Sequence, residues 1–193
     1  MERLTVDDYV REALDVLAEY GSEGLTIAVL CERLEITKGS FYHHFGGMPG
    51  FVTQLLDYWE REHSERLIAL SKAQPDPTLR ITTLIEFGVN LPHASEAAIR
   101  AWGRSNPEVA EVTARVDKRR ERHLVDAVAA LGVDRPRARI LARISLNVLV
   151  GVQQREHPVD RRRLRQMFQE VQRLIFLEAD PKLVARVVAL TEA

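Results

Sequence analysis

The sequence predicts an all-α fold. Three observations carry that prediction: apolar residues recur at intervals of three and four along most of the chain, Pro and Gly fall between the periodic stretches, and no stretch reads convincingly as a strand. With 193 residues, 46% hydrophobic and 28% charged, the chain has ample material for a core. No run of about 18 uncharged apolar residues is present to span a bilayer. The N-terminus, Met1 to Asp8, lacks the basic start and apolar centre of a signal peptide. A cytoplasmic protein with no membrane partner is expected.

The first helix is expected over Tyr9 to Tyr20, closed by a turn at Tyr20-Gly21. Thr26 has the hydroxyl to cap a second helix, in which Ile27, Leu30, Cys31 and Leu34 share one apolar face. Glu35-Ile36-Thr37 then breaks the chain: Ile36 can plug the angle between two helices, and Thr37 can cap the next one. From Lys38 onward, Phe41 and Phe45 stand four apart and face inward, leaving Lys38, Ser40, Tyr42, His43 and His44 outward. Two short helices joined by a tight turn, the second starting with small polar side chains, form the helix-turn-helix that enters a DNA major groove. Phosphates favour such a helix N-terminus.

Gly46-Gly47-Met48-Pro49-Gly50 is the clearest boundary, with Pro49 suited to a first helical turn. Phe51, Leu55, Tyr58 and Trp59 open a new apolar stripe, and one long helix is expected from about Met48 to Ser71. Ala73-Gln74-Pro75-Asp76-Pro77 interrupts the chain. Helices are then expected over Leu79 to Leu91, Ser95 to Gly103, Pro107 to Leu131, Pro136 to Gln154, Asp160 to Glu178 and Pro181 to Leu190. The short connections suit a compact bundle. The expected domains are a helix-turn-helix DNA-binding domain at 1–46 and a C-terminal helical domain at 47–193.

Net charge is −1, but its distribution is uneven. Residues 1–46 hold 4 Lys and Arg against 9 Asp and Glu, whereas residues 100–173 hold 17 against 9. An acidic head argues against strong non-specific DNA binding, because cations that neutralise phosphates supply most of that affinity. Specific binding remains open if Asp7, Asp8, Asp15 and Glu19 lie on the face away from Lys38. The basic runs Lys118-Arg119-Arg120-Glu121-Arg122 and Arg161-Arg162-Arg163-Leu164-Arg165 interrupt amphipathic helices opposite the apolar stripe. They read as solvated or interface-edge faces pairing with acids rather than as nucleic-acid patches.

The N-terminal residues resemble the TetR-type bacterial transcriptional repressors. The likeness is carried by the Tyr20-Gly21 and Leu25-Thr26 pairs, the string Lys38-Gly39-Ser40-Phe41-Tyr42-His43-His44-Phe45, and the long helix starting near Met48. It covers roughly the first fifty residues; beyond them it rests on length, on the helical pattern, and on Ala98 to Trp102 followed by Asn106 to Ala110. The chain departs from the family at two places. Glu35 stands where Gly is usual, which costs on the order of 1 kcal/mol if a left-handed conformation is kept. The usual phosphate-touching Lys is missing from the start of the fourth helix, where a backbone amide can take its place.

The resemblance implies a homodimer that represses transcription by binding a palindromic double-stranded DNA operator, released when an unidentified small-molecule effector in the C-terminal bundle shifts the helix at Met48 to Ser71. It implies DNA contacts from Thr26, Thr37, Lys38, Gly39, Ser40, Tyr42, His43 and His44. Candidate effector-binding residues are Phe87, Asn90, Trp102 and Asn147, polar or aromatic groups among apolar helical positions. For the dimer interface the candidates are Ile140, Ile144, Val148 and Gly151 on one helix and Leu164, Phe168, Val171 and Ile175 on another. Periodicity alone leaves these stripes equally readable as a subunit's own core. Cys31, the only cysteine, excludes an internal disulfide and reads as core.

An enzyme would need motifs that are absent: no nucleophile elbow, P-loop, dinucleotide-binding glycine pattern or His-Glu-x-x-His is present. No cofactor or metal is called for, since His43 and His44 are adjacent and point apart on a helix. The remaining alternative is a helical interaction or ligand-binding protein with weak or lost DNA binding.

Overall fold

The computed structural model describes residues 4–180. Their helices are α1 (Val6–Gly24), α2 (Ile27–Arg33), α3 (Lys38–Phe45), α4 (Met48–Glu60), a π-helical turn (Arg61–Glu65), α5 (Arg66–Ala73), α6 (Pro77–Asn90), α7 (His93–Trp102), α8 (Pro107–Ala129), α9 (Arg135–Arg155) and α10 (Arg161–Glu178). No strand occurs among the described residues, so the all-α expectation holds. The expected helix at Pro181 to Leu190 lies outside the described residues. None of the described helices is long and apolar enough to cross a membrane.

Local chemistry accounts for the element boundaries. Thr5 and Asp8 form a capping box at the start of α1, the Asp8 carboxylate accepting from the Thr5 amide at 2.7 Å. The expected turn at Tyr20-Gly21 is instead a kink within α1, with Gly21 at φ 67°. Thr26 and Thr37 cap α2 and α3 as expected, their hydroxyls accepting from the amides of Val29 and Ser40, each at 3.2 Å. Asp76, Asp134 and Asp160 cap α6, α9 and α10.

Two compact units divide the chain. The first holds residues to His63 together with Pro92–Ala114. In it α1 packs against α7, α2 and α4, and α3 packs against α2 and α4. Tyr9, Phe41, Phe51, Leu55, Trp59 and Ile99 are among its wholly buried side chains.

The second unit holds Ser64–Leu91 and the chain from Arg115. Here α6 packs against α5 and α10, and α10 against α9. Ile81, Leu131, Leu141, Val171 and Ile175 form one buried cluster; Val89, Leu149, Leu164 and Phe168 form another. A side chain at Gly88 would place its Cβ 3.1 Å from the Phe168 ring, so glycine lets the ring approach the α6 backbone. The basic runs do pair with acids: Arg165 holds Glu86 through two hydrogen bonds of 3.2 and 2.7 Å, Arg119 contacts Glu65, and Arg163 lies 3.7 Å from Glu156. The Arg165 pair holds the Glu86 carboxyl below its usual range.

Two expectations are corrected. The single helix expected from Met48 to Ser71 is broken by the π-helical turn, which apolar spacing does not reveal because both flanking helices keep their own period. The α10 stripe Leu164, Phe168, Val171 and Ile175, assigned to a dimer interface, is buried in the second unit's own core. Its partners on α6 and α9 are distant in sequence, which is why periodicity left the choice open.

Candidate nucleic-acid interface

Helix α3 is seated by aromatic rings. Phe41 (0% exposed) and Phe45 face inward, with ring centroids 5.0 Å apart. Phe51 of α4 lies 5.2 Å from Phe41 and 4.9 Å from Phe45, and Tyr9 of α1 lies 5.1 Å from Phe45. Ring pairs at these separations add about 0.5–1.5 kcal/mol each beyond area burial. An eight-residue helix, too short to be stable alone, is thereby held from two sides.

The corners of α3 are equally specific. Glu35 adopts φ 54°, the left-handed conformation that the turn requires although the residue is not glycine. After α3, Gly47 has φ 134°, where a side chain is strained. At Gly50 a Cβ would sit 2.3 Å from the Phe45 carbonyl oxygen, so only glycine lets α4 start this close to α3.

Of the eight residues expected at DNA, Thr26, Thr37, Lys38, Gly39, Tyr42 and His43 are exposed, and Ser40 and His44 are half-buried. The last two turn partly toward α1: Ser40 Oγ is 3.4 Å from Tyr9 Oη, and the His44 ring lies 5.5 Å from the Tyr9 ring. The row that remains outward, Lys38, Gly39, Tyr42 and His43, carries donors, an aromatic face and one fixed charge.

The acids of the head are engaged elsewhere. Arg33 of α2 is held by Glu12 and, through two hydrogen bonds of 2.7 and 3.1 Å, by Glu19. Arg11 donates to Tyr58 Oη at 3.2 Å and lies 3.5 Å from Asp8. Hydrogen bonds from Thr5 keep the Asp8 carboxyl below its ordinary value, whereas burial and then Glu12 raise that of Asp15. Asp8, Glu12, Asp15 and Glu19 all belong to α1, and none of them is on the helix that displays Lys38.

The other candidates are dispersed. Phe87 and Trp102 are half-buried, but Asn90 and Asn147 are exposed, and the Asn90 amide donates to the Glu86 carbonyl at 2.8 Å. Both asparagines are exposed residues, Asn90 on α6 and Asn147 on α9. Buried polar groups missed by sequence reasoning lie nearby in the chain: Ser71 (0% exposed) hydrogen-bonds His123 through Nε2 at 3.0 Å. Burial, then Lys72 and Arg80, hold the His123 imidazole below its ordinary value. The available signal was position: His123 follows the inward-facing Val116 and Arg120 of α8 at helical spacing.

Ile140 (51% exposed) and Ile144 (39%) do face outward on α9, while Val148 and Gly151 are half-buried. The outward apolar residues of α10 are Met167, Leu174 and Leu177 (70%), beside a shallow groove lined by Gln169, Gln172, Arg173, Phe176 and Leu177. Spacing hinted at Met167 and Leu174 in the sequence, since both flank the inward stripe.

The arrangement of α2 and α3, two short helices joined by a tight turn, is that of a helix-turn-helix. Residues 10–55 match the family model described as bacterial regulatory proteins, tetR family. The fold agrees along the chain. A transcriptional regulator from Rhodococcus sp. Rha1 is 18% identical, with a TM-score of 0.72, covering 92% of this chain and 98% of that one. A TetR transcriptional regulator from Legionella pneumophila is 12% identical, with a TM-score of 0.73, covering 93% and 100%. FadR from Bacillus subtilis, in complex with stearoyl-CoA, is 14% identical, with a TM-score of 0.68, covering 91% and 100%. No curated protein matches the chain in sequence. The match to the tetR family model lies in residues 10–55, and the likeness to these structures shows a shared helical fold that extends through the helices that follow.

Proposed function

We propose that the protein is a cytoplasmic, ligand-responsive repressor that binds a palindromic operator as a homodimer and leaves it when a small-molecule effector binds. The observation that carries this reading is α3 itself: rings on α1 and α4 seat Phe41 and Phe45, and the opposite side displays Lys38, Gly39, Tyr42 and His43 beside the capping Thr37. We assign DNA binding to residues 1–46 and effector binding and dimerisation to 47–193. Lys38 and the amides at the α3 N-terminus would meet phosphates, with Tyr42 and His43 toward base edges. At the start of α4 no side chain caps the helix, which leaves its first amides to serve where the family usually places Lys.

For the dimer, the outward apolar residues Ile140 and Ile144 of α9 and Met167, Leu174 and Leu177 of α10 are the fitting surface. The stearoyl-CoA complex of the B. subtilis relative supports an effector with an apolar body. The buried pair Ser71 and His123 in the second unit is where such a molecule's polar group would find hydrogen-bonding partners.

The deciding experiment is selection of duplexes from a random library by the full-length protein at low salt, with sedimentation of the complex. Enrichment of a two-fold symmetric sequence bound by two chains is expected. No sequence selectivity would favour a helical interaction or ligand-binding protein, the reading that the acidic head supports.

A further inference from the structure

Glu96 stands in the first turn of α7 with 0% of its surface exposed. Its Oε1 accepts a hydrogen bond of 2.6 Å from the indole Nε1 of Trp59, which is also wholly buried. The same oxygen lies 3.5 Å from Nδ1 of His63, an ion-pair distance longer than a formed hydrogen bond. Trp59 and His63 are four residues apart, and between them the chain changes register: α4 ends at Glu60 and the π-helical turn begins at Arg61. One carboxylate oxygen thus meets both the last turn of α4 and the middle of the π-helical turn. Such turns, with i→i+5 bonding, are rare and concentrate at functional positions.

Packing alone does not explain this residue. Taking a carboxylate out of water is unfavourable by several kcal/mol unless its surroundings satisfy it, and an apolar side chain of similar size would fill the space without that penalty. What Glu96 adds is direction. The helix that bears it packs along α1, and α1 carries Tyr9, which touches Ser40, His44 and Phe45 of the reading helix. Phe51, two turns before Trp59, meets Phe41 and Phe45 directly. Both ends of α4 are therefore tied to the seat of α3, one by rings and one by Glu96. The chain passes from the first unit to the second immediately after His63.

We propose that Glu96 is a positioning residue for DNA binding. By engaging Trp59 and His63 together it holds the end of α4 and the π-helical turn in their present register, and displacement of His63 from it is the step by which a change beyond residue 64 reaches the reading helix. The proposal rests on the regulator reading above.

Its test uses the full-length protein and three variants: Glu96→Gln, which keeps an oxygen for the Trp59 indole and removes the charge facing His63; His63→Ala, at a half-buried position; and the double variant. Hydrogen exchange of the amides of residues 61–66, helicity, and affinity for a duplex selected by the unmodified protein are measured. Each single variant should raise exchange at 61–66 at least tenfold with α2 amides unchanged, and weaken the duplex at least fivefold with helicity kept. The double variant should be no worse than the weaker-binding single one, since both remove one contact. Losses that multiply in the double variant, or exchange rising uniformly through the first unit, would overturn the proposal in favour of a packing role. If Glu96→Gln does not fold, unchanged exchange and affinity in His63→Ala would overturn it equally. Should the unmodified protein select no duplex, the regulator reading fails, and the exchange pattern by itself still decides whether Glu96 and His63 hold the π-helical turn.

Discussion

Helix α3 buries two of its eight residues, Phe41 and Phe45, and displays Lys38, Gly39, Tyr42 and His43. Helix α10 buries four of its eighteen, Leu164, Phe168, Val171 and Ile175, and still displays Met167, Leu174 and Leu177. Both have an inward stripe at helical spacing, so the stripe does not distinguish their roles. The outward residues do. A polar row over a ring-packed seat suits phosphates and base edges, whereas apolar groups left in water after the core is complete suit another protein surface. The contrast teaches that an apolar stripe locates a core, and that a partner is read from what the core does not need.

The contrast can be broken most severely at the seat of α3. Phe41→Ala removes a wholly buried ring that touches Phe45 and Phe51 and should destabilise the first unit by about 3–5 kcal/mol, read by chemical denaturation. A loss below about 1 kcal/mol would mean that the rings do not support the helix. On α10, Leu174→Glu with Leu177→Glu places charges on outward positions, so helicity should be kept while sedimentation shifts from dimer to monomer at micromolar concentration. Unchanged sedimentation would place the subunit contact elsewhere.

Smaller effects sharpen the comparison. Lys38→Ala should weaken operator binding about equally across sequences and reduce the slope of log affinity against log salt by about 1, whereas Tyr42→Ala should relax sequence preference. Identical behaviour of the two variants would mean that α3 presents a different face. The smallest effect concerns the turn before α3: Glu35→Gly relieves a positive φ and should stabilise the head by about 1 kcal/mol without altering affinity. A destabilisation there would show that the Glu35 side chain makes a contact worth more than the strain.

Much of the head was legible because its signals are local. Thr26 and Thr37 cap helices through hydrogen bonds spanning three residues, and Phe41 with Phe45 shows the inward side of α3 by spacing alone. Ser40 and His44 were harder: whether they reach DNA or lean on α1 depends on Tyr9, more than thirty residues earlier. The exposure of Asn90 and Asn147 was not legible either, because an amide among apolar neighbours reads alike on either face of an amphipathic helix until the packing partners are known.

By itself the sequence determined the helical class, the approximate span of most described helices, and a capped α3 with Phe41 and Phe45 inward, since caps, glycine corners and periodicity act over a few residues of one chain segment. Only the tertiary structure decided which α10 residues are core and which remain outside, where the run after Met48 changes register, and that Glu96 stands between Trp59 and His63. Those choices turn on contacts between segments as far as ninety residues apart, such as Thr82 with Gln172. The free energy of such contacts depends on which surfaces meet, and no spacing within one segment records that.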